Sequence, residues 1–324
     1  MKFWRMDLKH FALAAAISSA VLAGCGDDDT VRPKASKYTP PEDFVSIAVD
    51  TFVMGSPYST HTVILTTPFY MRDKETTNLE YTEMLQWAYD RGYCTVESYV
   101  VKDSLDGSTE TLLYMSSGSC AISFSADTFA VAAGMENRPV RCMSWYGAAA
   151  YCDWLNMKEG LSRAYDHSTW QCNGNDPYGA EGFRLPTEAE WEYACRAGTT
   201  TLFNTGDCLD SATDANYNGT QPYSGCSAGP YVGDIVDVGS YLPNGFGLYD
   251  MHGNLWEWCN DWYTFDGYAV DATDPIGPLV GDSRIVRGGS WSYSASLCTS
   301  SARSWNPPSD TIWLLGFRPV ISGE

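Results

Sequence analysis

The segments FVSIAVDTFVMGSP (44–57) and HTVILTTPFYMRDKETTN (61–78) alternate β-branched or aromatic residues with polar ones and are broken by Gly-Ser-Pro. A period of two bounded by turn residues predicts short strands. The period then changes. In LEYTEMLQWAYDRG, Leu79, Met84, Trp87 and Ala88 fall near helical spacing and Gly92 ends the run, which predicts a helix. A second helix is expected through SWYGAAAYCDWLNMKEG (144–160), with Ser144 as N-cap, Trp145, Ala148, Cys152 and Leu155 facing inward, and Gly160 as the stop. A third lies in LPTEAEWEYACRAG (185–198), where Thr187 and Glu190 form a capping box and Gly198 ends the helix. From there to about residue 283 the chain is rich in Gly, Asn, Asp and Trp without a sustained period, so a large irregular region is expected. RIVRGGSW and LLGFRPVIS return to strand composition.

The first 25 residues change the picture of where the protein works. Lys2, Arg5 and Lys9 precede an apolar run from Phe11 to Ala23, followed by small residues and Cys25. This predicts an export signal over residues 1–24, and Leu22-Ala23-Gly24-Cys25 resembles a bacterial lipobox that would make Cys25 the lipidated first residue of the mature chain. Residues 25–42, with three consecutive aspartates and three prolines, read as a disordered tether, leaving 43–324 as one folded domain anchored in the cell envelope, at the outer membrane or surface. The formal charge of −20, from 40 acidic and 20 basic residues, excludes nucleic acid as a partner, because phosphate contacts need clustered Lys and Arg.

Eleven cysteines less Cys25 leave ten, an even number in an exported chain, and the expectation is that all ten pair. Short loop closure favours Cys152 with Cys172, Cys208 with Cys226 and Cys94 with Cys120. There is no C-x-x-C pair, and His61, His167 and His252 are not spaced as a metal pair, which argues against zinc or histidine-ligated iron. Glu188, Glu190 and Glu192 on the third helix are expected to serve as caps and salt links, and most tryptophans as core.

Five ordered blocks, PVRCMSWYGAAAYCDWLN, GFRLPTEAEWEYACRAGTTT, NGFGLYDMHGNLWEWCNDWY, RIVRGGSW and LGFRPV, resemble the signature blocks of the formylglycine-generating enzyme (sulfatase-modifying factor) family, with FVMGS and PFYMRDKETTNLEY fitting its opening. The resemblance spans about residues 43–321. It implies an α+β, C-type-lectin-like fold: one domain with a small twisted sheet, two or three helices and much irregular chain. The family's enzymes oxidise a sulfatase cysteine with O₂, using copper(I) held by two cysteine thiolates, a soft pair suited to that ion.

An ungapped match puts Tyr293 at the first of those cysteines and Cys298 at the second. A match gapped to align Ala302-Arg303-Ser304 instead puts Cys298 at a neighbouring family cysteine that pairs with the cysteine here numbered Cys195. Either way the copper pair is missing, copper is not expected, and Cys298 reads as structural. The resemblance also implies calcium, held by Asp250 and Glu257 side chains with the carbonyls of Gly253 and Leu255, and a less complete second site at Asn216 and Tyr217. The function so implied is a non-catalytic binding or scaffold module for a protein, peptide or glycan ligand at the cell surface. The alternatives are a formylglycine-generating oxidase, or another chemistry in the same cleft, and a histidine-iron sulfur-transfer enzyme, which the missing histidine motif disfavours.

Overall fold

In the computed structural model, residues 38–265 and 270–323 are described. The predicted signal, Cys25 and most of the tether lie outside them. Tyr38, inside the stretch expected as tether, packs edge-on against Phe183, with ring centroids 5.7 Å apart.

The opening alternation forms β1 (Phe44–Ile47), β2 (Thr51–Ser56), β3 (Ser59–Ile64) and β4 (Phe69–Arg72), followed by α1 (Asn78–Tyr89). Thr77 caps α1, and Glu80 reaches back to the Thr77 amide. Its inward face is Tyr81, Met84, Leu85 and Ala88; Leu79, assigned inward from spacing, is exposed at its first turn. Next come β5 (Cys94–Glu97), β6 (Val100–Asp103), β7 (Thr111–Tyr114), β8 (Ile122–Ser125) and β9 (Thr128–Val131), an antiparallel meander and a hairpin. Then α2 (Trp145–Glu159) is buried nearly all round, capped by Ser144 and ended by Gly160 in the left-handed region. A Cβ at Gly147 would sit 2.2 Å from the Leu112 carbonyl oxygen, so glycine is what lets α2 press onto β7.

The hairpin β10 (Tyr165–Asp166) and β11 (Gln171–Cys172), then β12 (Phe183–Arg184), lead into α3 (Glu188–Arg196) with its Thr187–Glu190 capping box. The long irregular stretch that follows is interrupted by β13 (Trp256–Trp262) and β14 (Ala272–Thr273), then closed by β15 (Arg284–Arg287), β16 (Arg303–Asn306), β17 (Leu315–Gly316) and β18 (Val320–Ser322). One sheet has order β1-β4-β18-β12, antiparallel throughout, so the chain's two ends pair. A second has order β16-β15-β13-β17 and carries the irregular region's one long strand. Two apolar clusters lie beneath them, one around Trp154, Phe183 and Phe317 against α1 and α2, the other around Trp191, Ile285 and Val320 against α3.

The cysteines correct several expectations. Cys208 and Cys226 are joined. Cys94, Cys120, Cys142, Cys152, Cys172, Cys195, Cys259 and Cys298 are free thiols. The Cys120 thiol hydrogen-bonds to Cys142 rather than pairing with Cys94, and the backbone at Cys142 is left-handed (φ 67°). Cys152 and Cys172 are both buried, on α2 and β11, and remain separate thiols.

One buried polar clamp ties three of these elements together. His167 Nδ1 lies 2.7 Å from Asp103 on β6 and Nε2 3.2 Å from Asp153 on α2, with no exposure of any of the three side chains. Trp170 stacks on the ring at 4.2 Å. Burial opposes the imidazolium charge, but the two carboxylates outweigh it and push the histidine up to about 9. A raised folded value means that the clamp contributes fully below the ordinary histidine range and is lost as pH climbs through about 9. Thermal melts should therefore show stability falling by about 3 kcal/mol between pH 6.5 and 10. Asp103→Asn should move that fall to lower pH, and a flat profile in the parent protein would show that the imidazole is neutral throughout.

Candidate functional site

The conspicuous polar and aromatic assembly forms where the loop before β13 meets the turn after β15. Asp250, Gly253 and Asn254 all have positive φ, which coils this loop tightly against a neighbouring segment. Asn216 and Gly253 form a parallel bridge, and a Cβ on Gly253 would lie 2.2 Å from the Asn216 carbonyl oxygen. Two of the residues picked out from the sequence on separate segments are thus brought together. The Gly253 amide donates to the Gly288 carbonyl at 2.8 Å, and the Trp291 amide to the Asn254 carbonyl at 3.0 Å, locking the loop to the Gly288-Gly289 turn.

Cys298 sits inside that lock. Its side chain is fully buried, the amides of Ser290 and Gly253 point at its sulfur, and a Cβ on Gly289 would approach the sulfur to 2.4 Å. Burial pushes the thiol up to about 12, so it stays protonated and inert. Cys195 does not pair with it. The His252 ring stands between the two: its Nδ1 donates to the Cys298 carbonyl at 2.7 Å, while the Cys195 sulfur lies 3.9 Å from Nε2. Burial holds His252 down at about 4, hence neutral, and Nε2 accepts from the Asn204 amide. Sequence spacing had passed over this histidine, since its neighbours come from residues 46 and 57 positions away.

Tyr293, at the other family position, is half-buried and meets Trp256 edge-on at 5.9 Å; its carbonyl accepts from the Asn218 amide. Copper(I) needs two thiolates, and this block offers one protonated thiol and a phenol, so the donor set does not fit that ion. Beside it, Trp291 lies between Tyr231, stacked at 6.0 Å, and Trp313, tilted at 5.4 Å. Tyr231 and Trp313 are 43% and 38% exposed and form a shelf open to solvent, with the buried Trp291 ring packed between them.

Of the calcium ligands expected here, Glu257 is engaged and others are in part open. Both Glu257 oxygens accept from Arg318, at 2.7 and 2.8 Å, and one also accepts from the Trp191 indole. Asp250 takes the Gly239 amide on Oδ2 and leaves Oδ1 without a partner, and Asn216 Oδ1 is likewise unpartnered. Glu75 anchors the loop by accepting from the Asn254 side chain and the Leu255 amide. Burial, with the charges of Asp250 and Glu257, raises Glu75 well above the carboxylate range. The cation that answers these acids is a guanidinium. Among the described residues no group of three or more His, Cys, Asp or Glu side chains is placed to hold a metal ion; the expected calcium set, two carboxylates with backbone carbonyls, is of another kind, and in it Glu257 is taken up by Arg318.

The third-helix acids are ion-paired as expected: Glu190 with Arg184, Glu192 with Arg196 and Arg287, and Glu188 with Arg303.

Residues 30–322 match the protein family described as Sulfatase-modifying factor enzyme 1-like domain. The chain is 36% identical to a formylglycine-generating enzyme of Mus musculus over 190 residues, 56% of this chain and 44% of that one. It is 33% identical to serine/threonine-protein kinase pkn1 of Chlamydia pneumoniae over 189 residues, 57% of this chain and 24% of that one. The match thus spans half or less of these curated relatives' length. Among solved structures, Treponema denticola variable protein 1 superposes with a TM-score of 0.58 at 25% identity, covering 86% of this chain and 95% of that one.

Two substitutions separate an ion-pair network from a metal site. Glu257→Gln leaves the buried Arg318 charge unanswered and should cost about 3–5 kcal/mol in denaturant melts. Burial pushes Asp250 up to about 6, so its charge is unfavourable at neutral pH and is relieved as pH falls through that value. Asp250→Asn should therefore raise stability at pH 7.5, by about 1–2 kcal/mol after loss of part of the Gly239 hydrogen bond. EDTA should leave both melts unmoved; destabilisation by chelator and by Asp250→Asn together would restore the calcium reading.

Proposed function

The chain belongs to the sulfatase-modifying factor enzyme 1-like family, and from that premise we propose that it is a non-catalytic binding module of the family, working in the cell envelope. The observation that carries this reading is the sealed Cys298 thiol: fully buried, held protonated and without a second thiol in its block. Oxidation of a substrate cysteine through copper would need two exposed thiolates there. A fold does not confer an activity; the side chains at the site do.

The surface beside the sealed thiol suits binding. The exposed Tyr231 and Trp313 rings, backed by the buried Trp291, offer aromatic surface suited to pack on sugar rings or on apolar peptide side chains while excluding water. A protein, peptide or glycan ligand at the cell surface is the partner proposed, with the membrane reached through a lipid on Cys25. Cys25→Ser in the full-length chain should release the protein from the membrane fraction, and unchanged membrane association would remove the lipid anchor from the proposal.

Catalysis is tested directly. Incubated with a peptide carrying the sulfatase motif C-x-P-x-R, with O₂ and with or without copper(I), the protein should give no formylglycine by mass spectrometry. Tyr293→Cys should not gain tight copper(I) binding, because Cys298 stays enclosed by Gly253, Gly289 and Ser290. Conversion of the peptide by the unmodified protein would overturn the binding-module reading.

A further inference from the structure

Seven arginines are buried, and six of them (Arg72, Arg141, Arg184, Arg196, Arg287 and Arg318) have a carboxylate oxygen within 3.1 Å. The seventh, Arg284 at the start of β15, has none among the described residues. Its guanidinium is sandwiched between Trp145 and Trp262, at 3.9 and 3.5 Å from the ring centroids. One Nη donates to the Asn260 carbonyl, the other lies 3.5 Å from the Trp170 carbonyl, and Nε has no partner. Two aromatic faces offset part of the desolvation of a buried cation, by about 2 kcal/mol each. Asp261 acts on the guanidinium only through space, and a buried cation with no carboxylate in contact among the described residues asks what is meant to meet it.

Arg284 forms part of the wall of a cavity of about 210 Å³. The cavity opens between the β10–β11 hairpin, the end of β13 and the loop 276–281. Its walls are aromatic and aliphatic, with Trp170, Trp262, Ile276 and Leu279 prominent, and amide side chains from Gln171, Asn175 and Asn260 add neutral hydrogen-bonding groups. No acidic residue among the described ones lines it, so in a chain of net charge −20 this is a pocket whose described lining carries positive charge. Leu279 and Val280, 59% and 79% exposed, stand at its rim. None of its lining residues belongs to the Cys298 site or the aromatic shelf.

We propose that this cavity is a binding site for a carboxylate carried on a ring or a branched apolar group, with the acid meeting the Arg284 fork and the apolar body lying against Trp262 and the rim. The volume suits one ring or one amino-acid residue rather than a drug-sized molecule. Two sources supply that chemistry, a free aromatic or branched acid and the C-terminal residue of a peptide. Asn260 and Gln171 fit the amide of the second as well as the acid of the first.

The full mature chain is titrated with phenylacetate, with its neutral counterpart phenylacetamide, and with N-acetyl-Gly-Phe bearing a free or an amidated C-terminus, followed by tryptophan fluorescence and calorimetry. The expected result is saturable binding of the acids and at least about tenfold weaker binding of the amides, the cost of one charge-assisted contact. A free-carboxyl peptide binding more tightly than phenylacetate assigns the site to chain termini, and the reverse order assigns it to small acids. Val280→Glu puts a carboxylate at the exposed rim and should weaken the acids at least about tenfold without shifting the melting temperature. Arg284→Lys keeps the charge, loses the fork and should weaken them too; should that variant not fold, Val280→Glu decides. Equal affinity for acid and amide, no saturable binding of any probe, or full affinity in Val280→Glu overturns the proposal.

Discussion

Arg318 is the residue on which the assembly depends. Its guanidinium is chelated by Glu257 on β13, and its remaining N–H groups reach the carbonyls of Arg72 and Asp73 at the end of β4 and of Tyr249 in the loop before β13. A single fully buried cation therefore joins the sheet made from both chain ends to the sheet that carries the site. In so dry a place a carboxylate and a guanidinium with matched geometry need every remaining N–H satisfied, and here backbone carbonyls satisfy them. The neighbouring acids Glu75 and Asp250 share this one positive centre, but burial and the charges of the nearby carboxylates outweigh its pull, so their acid forms are favoured.

That arrangement also decides what the loop before β13 can do. Its tight left-handed turns and the glycine contact at Asn216 aim backbone amides inward, at Glu75 and at the Cys298 sulfur. The result is a rigid floor under a ring of tryptophan and tyrosine faces rather than an open cleft with reactive groups. Rigidity of this kind suits recognition, since an ordered aromatic surface loses little freedom when it is covered.

Much of the scaffold was legible along the chain. The capping boxes at Thr77 and Thr187 and the Ser144 and Gly160 ends of α2 are local chemistry, and the structure places all three helices where that chemistry says. The family blocks carried the fold class. β13 was not legible: in WEWCNDW the first six residues are all buried, so no alternation marks it as a strand. The strands between residues 94 and 131 also went unread. At the site the limit is of another kind. Glu257 looked like a metal ligand because nothing nearby in sequence reveals Arg318 61 residues on, and the partners of His167 lie 14 and 64 positions away. Cysteine pairing fails for the same reason: loop length favours Cys94 for Cys120, while the fold brings up Cys142.

The Arg318 contacts to Arg72 and Asp73 span 246 and 245 residues of chain. Closing so long a loop is entropically costly before any contact rewards it, and such pairings form late in folding. During synthesis the site therefore has no precursor until Arg318 and β18 have been made: before then Glu257 and Glu75 have no cation, and the sheet β1-β4-β18-β12 lacks its inner strand. The protein is in effect a clasp that closes only when strands far apart along the chain are both present.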